Sequence, residues 1–330
     1  MKIVVFGPEK RVGVLSGESV VDLARASAAM PAAAAAPLPA TLQGLIEGGP
    51  DALVVAAKVV EAALALPPSA RSGNGVYALA DVQLQAPVVP GARVACAGGN
   101  FADHTAAMAA KRSDMPQYDS PDLKAIAEQM RARGIWGFWK VGRDASAPDA
   151  RIMYPARTQR LDYEGELAIV IGKPAKDVAV GDLKPYIWGV TLFGDWSIRD
   201  LNEGSAIFKF AAAKNFDGSF SVGPCIVVGE GIDEANVAIE TWVNGERRQN
   251  FNTRDMVVSF GEYLAYLSQD FTFHPGDMIS GGTAAGTAAD SSEISREGIF
   301  APERFLKPGD VVEMRSPAIG TLAARIVAKG

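Results

Sequence analysis

The chain has 330 residues, 48% of them hydrophobic and 21% charged, which suits one large or two unequal globular domains and excludes a disordered chain. A formal charge of -6 argues against a general nucleic-acid binder, whose surface must be basic to neutralise phosphates. Two cysteines and two histidines rule out a disulfide framework, a thiolate cluster, an HExxH site and a three-histidine zinc cage, so any metal here has to be held by oxygen.

In chain order, residues 1–10 alternate apolar residues with a Gly-Pro turn and lack a small-residue cleavage site, so they read as a strand rather than a secretory signal. Strands are expected at Lys2–Phe6 and Val12–Leu15, then alanine-rich helices to residue 66. The apolar stretch Asp51–Leu66 is broken by Lys58 and Glu61 and is shorter than the ~20 residues that span a bilayer, so no membrane association and a cytoplasmic location are expected. Gly73-Asn74-Gly75-Val76-Tyr77-Ala78 has the spelling of a dinucleotide fingerprint, but it follows a Pro/Ser loop where a buried strand is required. Ala86-Pro87 and Pro90-Gly91 mark a boundary, giving a small α+β domain at 1–88 and a larger domain at 89–330.

The larger domain opens with a strand at Arg93–Ala97, a Gly98-Gly99 turn and a helix over Ala102–Lys111 that carries His104 near its start. A second helix follows, with Ser120 as cap, Pro121 in its first turn and Gly134 as stop. This segment reads as a lid or surface insertion, and its Phe101, Met108, Met115, Tyr118, Trp136 and Trp139 suit a sizeable apolar group. Beyond Tyr154 strands dominate, at Tyr163–Ile171, Ile187–Gly194, Cys225–Val228 and Val237–Val243, the last closed by an Asn244-Gly245 hairpin turn. One helix, Phe260–Gln269, opens with Ser259 and Glu262 at capping-box spacing, and Pro-Gly-Asp turns at 275–277 and 308–310 each feed a strand.

The strongest chemical signal is the strand Leu161–Ile171, where Glu164 and Glu166 share a face with Cα atoms roughly 6 to 7 Å apart. Side by side in a buried strand, two carboxylates are costly unless a cation neutralises them; a solvent-facing strand with two harmless acids is the alternative. Asp195 ends the apolar strand Trp188–Gly194 and, read alone, is equally a turn or helix cap. Three carboxylates with waters would make a hard oxygen site suited to Mg²⁺ or Mn²⁺, with Ca²⁺ a third candidate.

Five groups of residues together carry a resemblance: Gly99-Asn100-Phe101-Ala102-Asp103-His104, Asp162-Tyr163-Glu164-Gly165-Glu166-Leu167, Gly194-Asp195-Trp196-Ser197-Ile198-Arg199-Asp200, Lys214-Asn215-Phe216-Asp217-Gly218, and Gly282-Thr283. In content, order and spacing this set resembles the fumarylacetoacetate hydrolase family over residues 91–330. The resemblance implies an α+β, mainly β chain: a mixed β-sandwich or roll behind a small α+β N-terminal domain. It implies a homodimer and a divalent metal, Mg²⁺ or Mn²⁺, on Glu164, Glu166 and Asp195. It also implies a small-molecule 2-oxo or β-diketo acid as substrate, such as an acylpyruvate or fumarylacetoacetate. Members cleave carbon-carbon bonds in such acids, while relatives decarboxylate, dehydrate or tautomerise 2-oxo acids, all through metal-stabilised enolates. A non-catalytic metal-binding relative is a further alternative.

Read alone, His104 is a polar residue on an amphipathic helix; the resemblance makes it the base that takes a proton from water. Many members carry an acid three residues after that histidine, where this chain has Ala107. A branch of the family supplies the acid from a loop after the Gly-Thr motif, and Glu293 is the candidate here, in a polar run that reads equally as a solvated loop. Lys214, otherwise a surface lysine, would face the developing enolate. Substrate contacts are assigned to Phe101, Lys140 at the pocket rim, Thr283, and Arg199, which could instead pair with Asp200 or Glu203. Gly194 and Ile198 stand where Asn and Ala are more usual.

Overall fold

A computed structural model describes residues 1–31, 36–112, 115–201, 206–229, 231, 233–296 and 298–329. Among these, a twelve-stranded mixed sheet has the strands Phe220–Val228, Ile187–Asp195, Gly165–Ile171, Met278–Ser280 and Arg93–Ala97 side by side at its centre. Only antiparallel pairs join the first four, and Met278–Ser280 runs parallel to Arg93–Ala97. Gly137–Val141 closes one end of this path, and Lys2–Phe6 continues the other by pairing with Phe220–Val228. The hairpins of the first 22 residues are therefore part of the same sheet, and strand pairing runs across the expected 88/89 division.

A five-stranded sheet, ordered Glu246–Asn252, Ala238–Val243, Val311–Ser316, Gly320–Val327 and Ala150–Met153, covers one face of the large one. The strand Gly165–Ile171 is buried along its whole length, because alternate residues feed different cores. Leu167, Ile169 and Ile171 pack in the cluster shared with Val243, Met314 and Leu322 of the second sheet. Ala168 and Val170 face the other way, toward the cluster of Leu45, Ala56 and Val59 from the N-terminal helices. Burial on both faces explains the nearly unbroken apolar run in the sequence. It also sets the parity of the acids: Gly165 lies under the second sheet, where a Cβ would come 2.1 Å from Thr241 Oγ1, and Glu164 and Glu166 point the opposite way.

Local signals hold with small differences. The capping box of Ser259 and Glu262 is formed at the start of Phe260–Leu267, and Asn244-Gly245, both at positive φ, turns the hairpin. The Pro-Gly-Asp turns are alike in detail: Asp277 Oδ2 accepts from His274 N at 2.8 Å and Asp310 Oδ2 from Lys307 N at 2.7 Å. The helix expected to be capped by Ser120 runs over Leu123–Arg133 and is capped by Asp122, whose carboxylate accepts from Lys124 N; Ser120 bonds Asp122 N instead. No helix among the described residues is long and apolar enough to cross a membrane.

Candidate active site

Three carboxylates meet where the two central strands end. Gly165 is paired with Gly194, and Asp195 N donates to Glu164 O at 2.9 Å, which brings the Asp195 side chain beside both glutamates. One ligand atom from each of Glu164, Glu166 and Asp195 lies within 4.8 Å of the others. All three are buried, with exposures of 4%, 2% and 0%. Gly194, the departure from the usual Asn, lies where a Cβ would meet Met314 Cε at 2.7 Å, so the second sheet has taken the room of a side chain.

Cations answer part of this charge. Lys214 Nζ bridges Glu164 Oε2 at 2.6 Å and Asp195 Oδ2 at 2.9 Å and also donates to Ser197 Oγ. Arg199 pairs with Asp162 and Glu164. Burial pushes the Glu164 carboxyl up, but Arg199, Lys214 and His104 outweigh it and hold it below the usual carboxylate range. Glu166 has less help: the Ser280 hydroxyl donates to it and Lys214 acts on it only weakly, and no ion pair reaches it among the described residues. Burial, then Asp195 and Glu164, push its carboxyl up. Four carboxylates, counting Asp162, thus face the three cations Lys140, Arg199 and Lys214, a cluster short of positive charge with three oxygens converging. That donor set fits a divalent cation that prefers oxygen.

His104 stands over the cluster. The loop before its helix is pinned by the buried Asn100, whose amide donates to Val258 O and Gly281 O and accepts from Val258 N. His104 Nε2 lies 4.0 Å from Glu164 Oε1, while Nδ1 lies 2.7 Å from Asp290 Oδ2. Asp290 is 7% exposed; burial raises its carboxyl, but the bond and charge of His104, with Ser291 and Gly286 N, hold it below the usual range. An ionised carboxylate only accepts, so Nδ1 carries a proton toward Asp290, and Nε2 is the ring nitrogen that faces the acids. The Asp290–Ser292 stretch is tied a second time to the segment that carries His104, by Lys111 Nζ, just beyond the helix Ala102–Ala109, donating to the carbonyls of Asp290 and Ser292.

Several expected positions move. The partner of His104 is Asp290, not Glu293, which is exposed three residues further on: the short helix Ala288–Ser291 turns Asp290 inward, and its first amides are capped by the fully buried Asp162 at 2.7 and 3.1 Å. Lys140 is not at a rim; it is 3% exposed, with Nζ 2.9 Å from Asp195 Oδ1, because strand parity turns it inward. Phe101 is core, 2% exposed and edge-on to Phe251. Arg199 pairs inward rather than with Asp200, which bonds Thr158 and Gln159 N; Glu203 lies outside the described residues. Thr283 does line the cavity, with its hydroxyl donating to Gly165 O and accepting from Gln249. Asp290 was given no role from sequence, and Asp162 and Asn100 were named only as members of the motifs that carry the resemblance. Thr287 and Asp290 at capping spacing were the available signal for the first.

A cavity of about 580 Å³ opens over His104, Glu164, Glu166, Arg199 and Lys214. Met108, Met115, Tyr118 and Trp136 of the lid segment line it, whereas Trp139 packs on Phe271 and Phe273 outside.

Comparison with known proteins identifies the fold and the family. The chain is 30% identical over 261 residues to the oxaloacetate tautomerase YisK of Bacillus subtilis, covering 78% of each chain. Its fold matches a fumarylacetoacetate hydrolase from Exiguobacterium antarcticum with a TM-score of 0.73 at 26% identity, and maleylpyruvate hydrolase from Sphingobium sp. SYK-6, solved with manganese(II) and pyruvate, with 0.70 at 25%; each covers 100% of both chains. Residues 93–327 match the model of the fumarylacetoacetate hydrolase C-terminal domain, and with the acid cluster on its paired strands the chain belongs to the fumarylacetoacetate hydrolase family.

Proposed function

We propose that the protein hydrolyses a carbon-carbon bond in a β-diketo acid of the acylpyruvate type. The observation that carries this reading is the His104–Asp290 pair: hydrolysis needs a base for water, and Asp290, 2.7 Å from Nδ1, takes the part of the acid absent at position 107. A divalent cation held by Glu164, Glu166 and Asp195, Mg²⁺ or Mn²⁺, would supply Lewis acidity toward the substrate's 2-oxo and enolate oxygens. His104 Nε2 takes a proton from water as its oxygen attacks the distal carbonyl. The carbon-carbon bond then breaks, its electron pair passes into the enolate of pyruvate, and His104 returns the proton to that enolate's carbon, releasing a carboxylic acid and pyruvate. Asp290 holds the ring tautomer throughout and stabilises the imidazolium, and Lys214 Nζ adds positive charge where oxygen becomes anionic. Lys140 and Arg199 hold the Asp195 and Glu164 carboxylates in place through their ion pairs.

A second reading, tautomerisation of a 2-oxo acid, is favoured by the likeness to YisK and needs only the proton transfer of His104. Incubating Mn²⁺-loaded protein with acylpyruvates and with enol-oxaloacetate separates the two. Loss of the diketo-acid absorbance with stoichiometric pyruvate supports hydrolysis. Accelerated ketonisation of oxaloacetate without cleavage of any acylpyruvate refutes it in favour of the tautomerase. A homodimer in the cytoplasm is the expected working form, and light scattering checks the dimer.

A further inference from the structure

From the structure we infer that the substrate's acyl arm is a flat apolar group of aryl size; this rests on the reading above and names the substrate class. Beyond the acids, the cavity changes character. Its walls are mainly the thioethers of Met108, Met115 and Met130 and the rings of Trp136, Phe210 and Tyr263, with Arg112 and Arg133 also on the lining. At about 580 Å³ it lies within the range of pockets that enclose drug-sized ligands, far more than a pyruvate unit requires.

Trp136 is the decisive residue. Its carbonyl is pinned by Gly98 N at 3.0 Å and Tyr263 Oη at 3.1 Å, yet the residue is left 52% exposed. The indole lies against the backbone of Gly98, where a Cβ would come 2.5 Å from Cζ3, so only glycine there admits this pose. Phe210, 38% exposed, stands beside it with ring centroids 6.0 Å apart, and Phe138 packs edge-on behind at 5.3 Å. Two uncovered aromatic rings held in place over a cavity are a preorganised stacking wall, and the methionines that line the same cavity adapt to the shape of what lies on it. Arg133 reaches the same cavity, but it donates to Gln117 O and lies 4.5 Å over the Tyr118 ring, a cation already engaged rather than one awaiting a distal carboxylate.

The test compares kcat/KM for acetylpyruvate, longer alkanoylpyruvates, benzoylpyruvate and an acylpyruvate ending in a carboxylate. We expect about a fourfold rise per buried methylene. Benzoylpyruvate should exceed the carboxylate-ended compound at least tenfold, and Trp136→Ala should cost benzoylpyruvate at least tenfold more than acetylpyruvate. A flat series, or preference for the carboxylate-ended substrate, overturns the inference and leaves the hydrolase reading standing. Cleavage of none of them overturns the hydrolase reading instead. Calorimetric titration of His104→Ala with benzoylpyruvate and acetylpyruvate then tests the wall alone: tighter binding of the aryl compound supports it, and equal binding refutes it.

Discussion

Asp290→Asn tests the proposed role of His104 as a base. Both carboxylate oxygens are acceptors: Oδ2 from His104 Nδ1, Oδ1 from Ser291 Oγ, and both from Gly286 N. An amide of the same size cannot satisfy that set. With its NH₂ toward His104 it forces the ring proton onto Nε2, the atom that has to accept from water; with the NH₂ turned away, a donor faces Ser291 and Gly286. Loss of the charge-assisted bond alone is worth about 1.5–3 kcal/mol, roughly 10- to 150-fold in rate, and the wrong tautomer extends the loss toward about 10⁴. A fall in kcat of about 10² to 10⁴ is expected, with Mn²⁺ affinity unchanged in calorimetry because Asp290 is not among the clustered acids. The exposed Glu293 provides the control, and Glu293→Gln should match wild type. An Asp290→Asn enzyme within about threefold of wild-type kcat would refute the orienting role and, with it, the case for water activation.

Glu166→Gln should abolish Mn²⁺ and Mg²⁺ binding in calorimetry while leaving the melting temperature of the metal-free protein unchanged or higher, since it removes a buried carboxylate crowded by two others. The capping glutamate Glu262 gives a pH test: burial raises its carboxyl, but Arg131 and Ser259 outweigh it and hold it below the ordinary value of about 4.3. A depressed folded-state pKa stabilises above the unfolded value and the benefit is lost as pH falls through the folded one. The melting-temperature cost of Glu262→Gln should therefore be present at about pH 7 and shrink by about pH 3; an unchanging cost contradicts the sign. Cys96 and Cys225 are fully buried, and burial pushes the Cys225 thiol up to about 11, so neither should react with a thiol reagent at neutral pH until denaturant is added.

What sequence made legible was local or periodic. The strand Arg93–Ala97, the Ser259 capping box and the Asn244-Gly245 turn follow from residues within a few positions of one another. Glu164 and Glu166 were legible as a pair because strand parity alone puts them on one face. Asp290 was not, because Asp290-Ser291-Ser292-Glu293 offers two acids and the choice is made by Asp162, 126 residues earlier, capping Ala288. Lys140 was misplaced for a similar reason: inside or outside on an edge strand depends on what lies behind it, here Asp195 and the carbonyls of Lys214 and Ser219.

The pairing of Lys2–Phe6 with Phe220–Val228 also bears on biosynthesis. Met1 and Val228, which share a hydrogen bond, are 227 residues apart. The antiparallel strands of residues 2–22 can form among themselves early, and Leu84–Gln85 covers the Val5–Phe6 end of the outer edge, but its Lys2–Ile3 end stays open until the ribosome has delivered Phe220–Val228. At about 5–20 residues per second, that is a wait of tens of seconds with an apolar edge exposed, the stage at which a nascent chain depends on chaperones. Deleting those N-terminal strands only moves the problem, because the Ile226–Val227 end of Phe220–Val228, the neighbour of the strand that carries Asp195, then becomes an open edge, while its Phe220–Ser221 end stays paired with Ala145–Ser146.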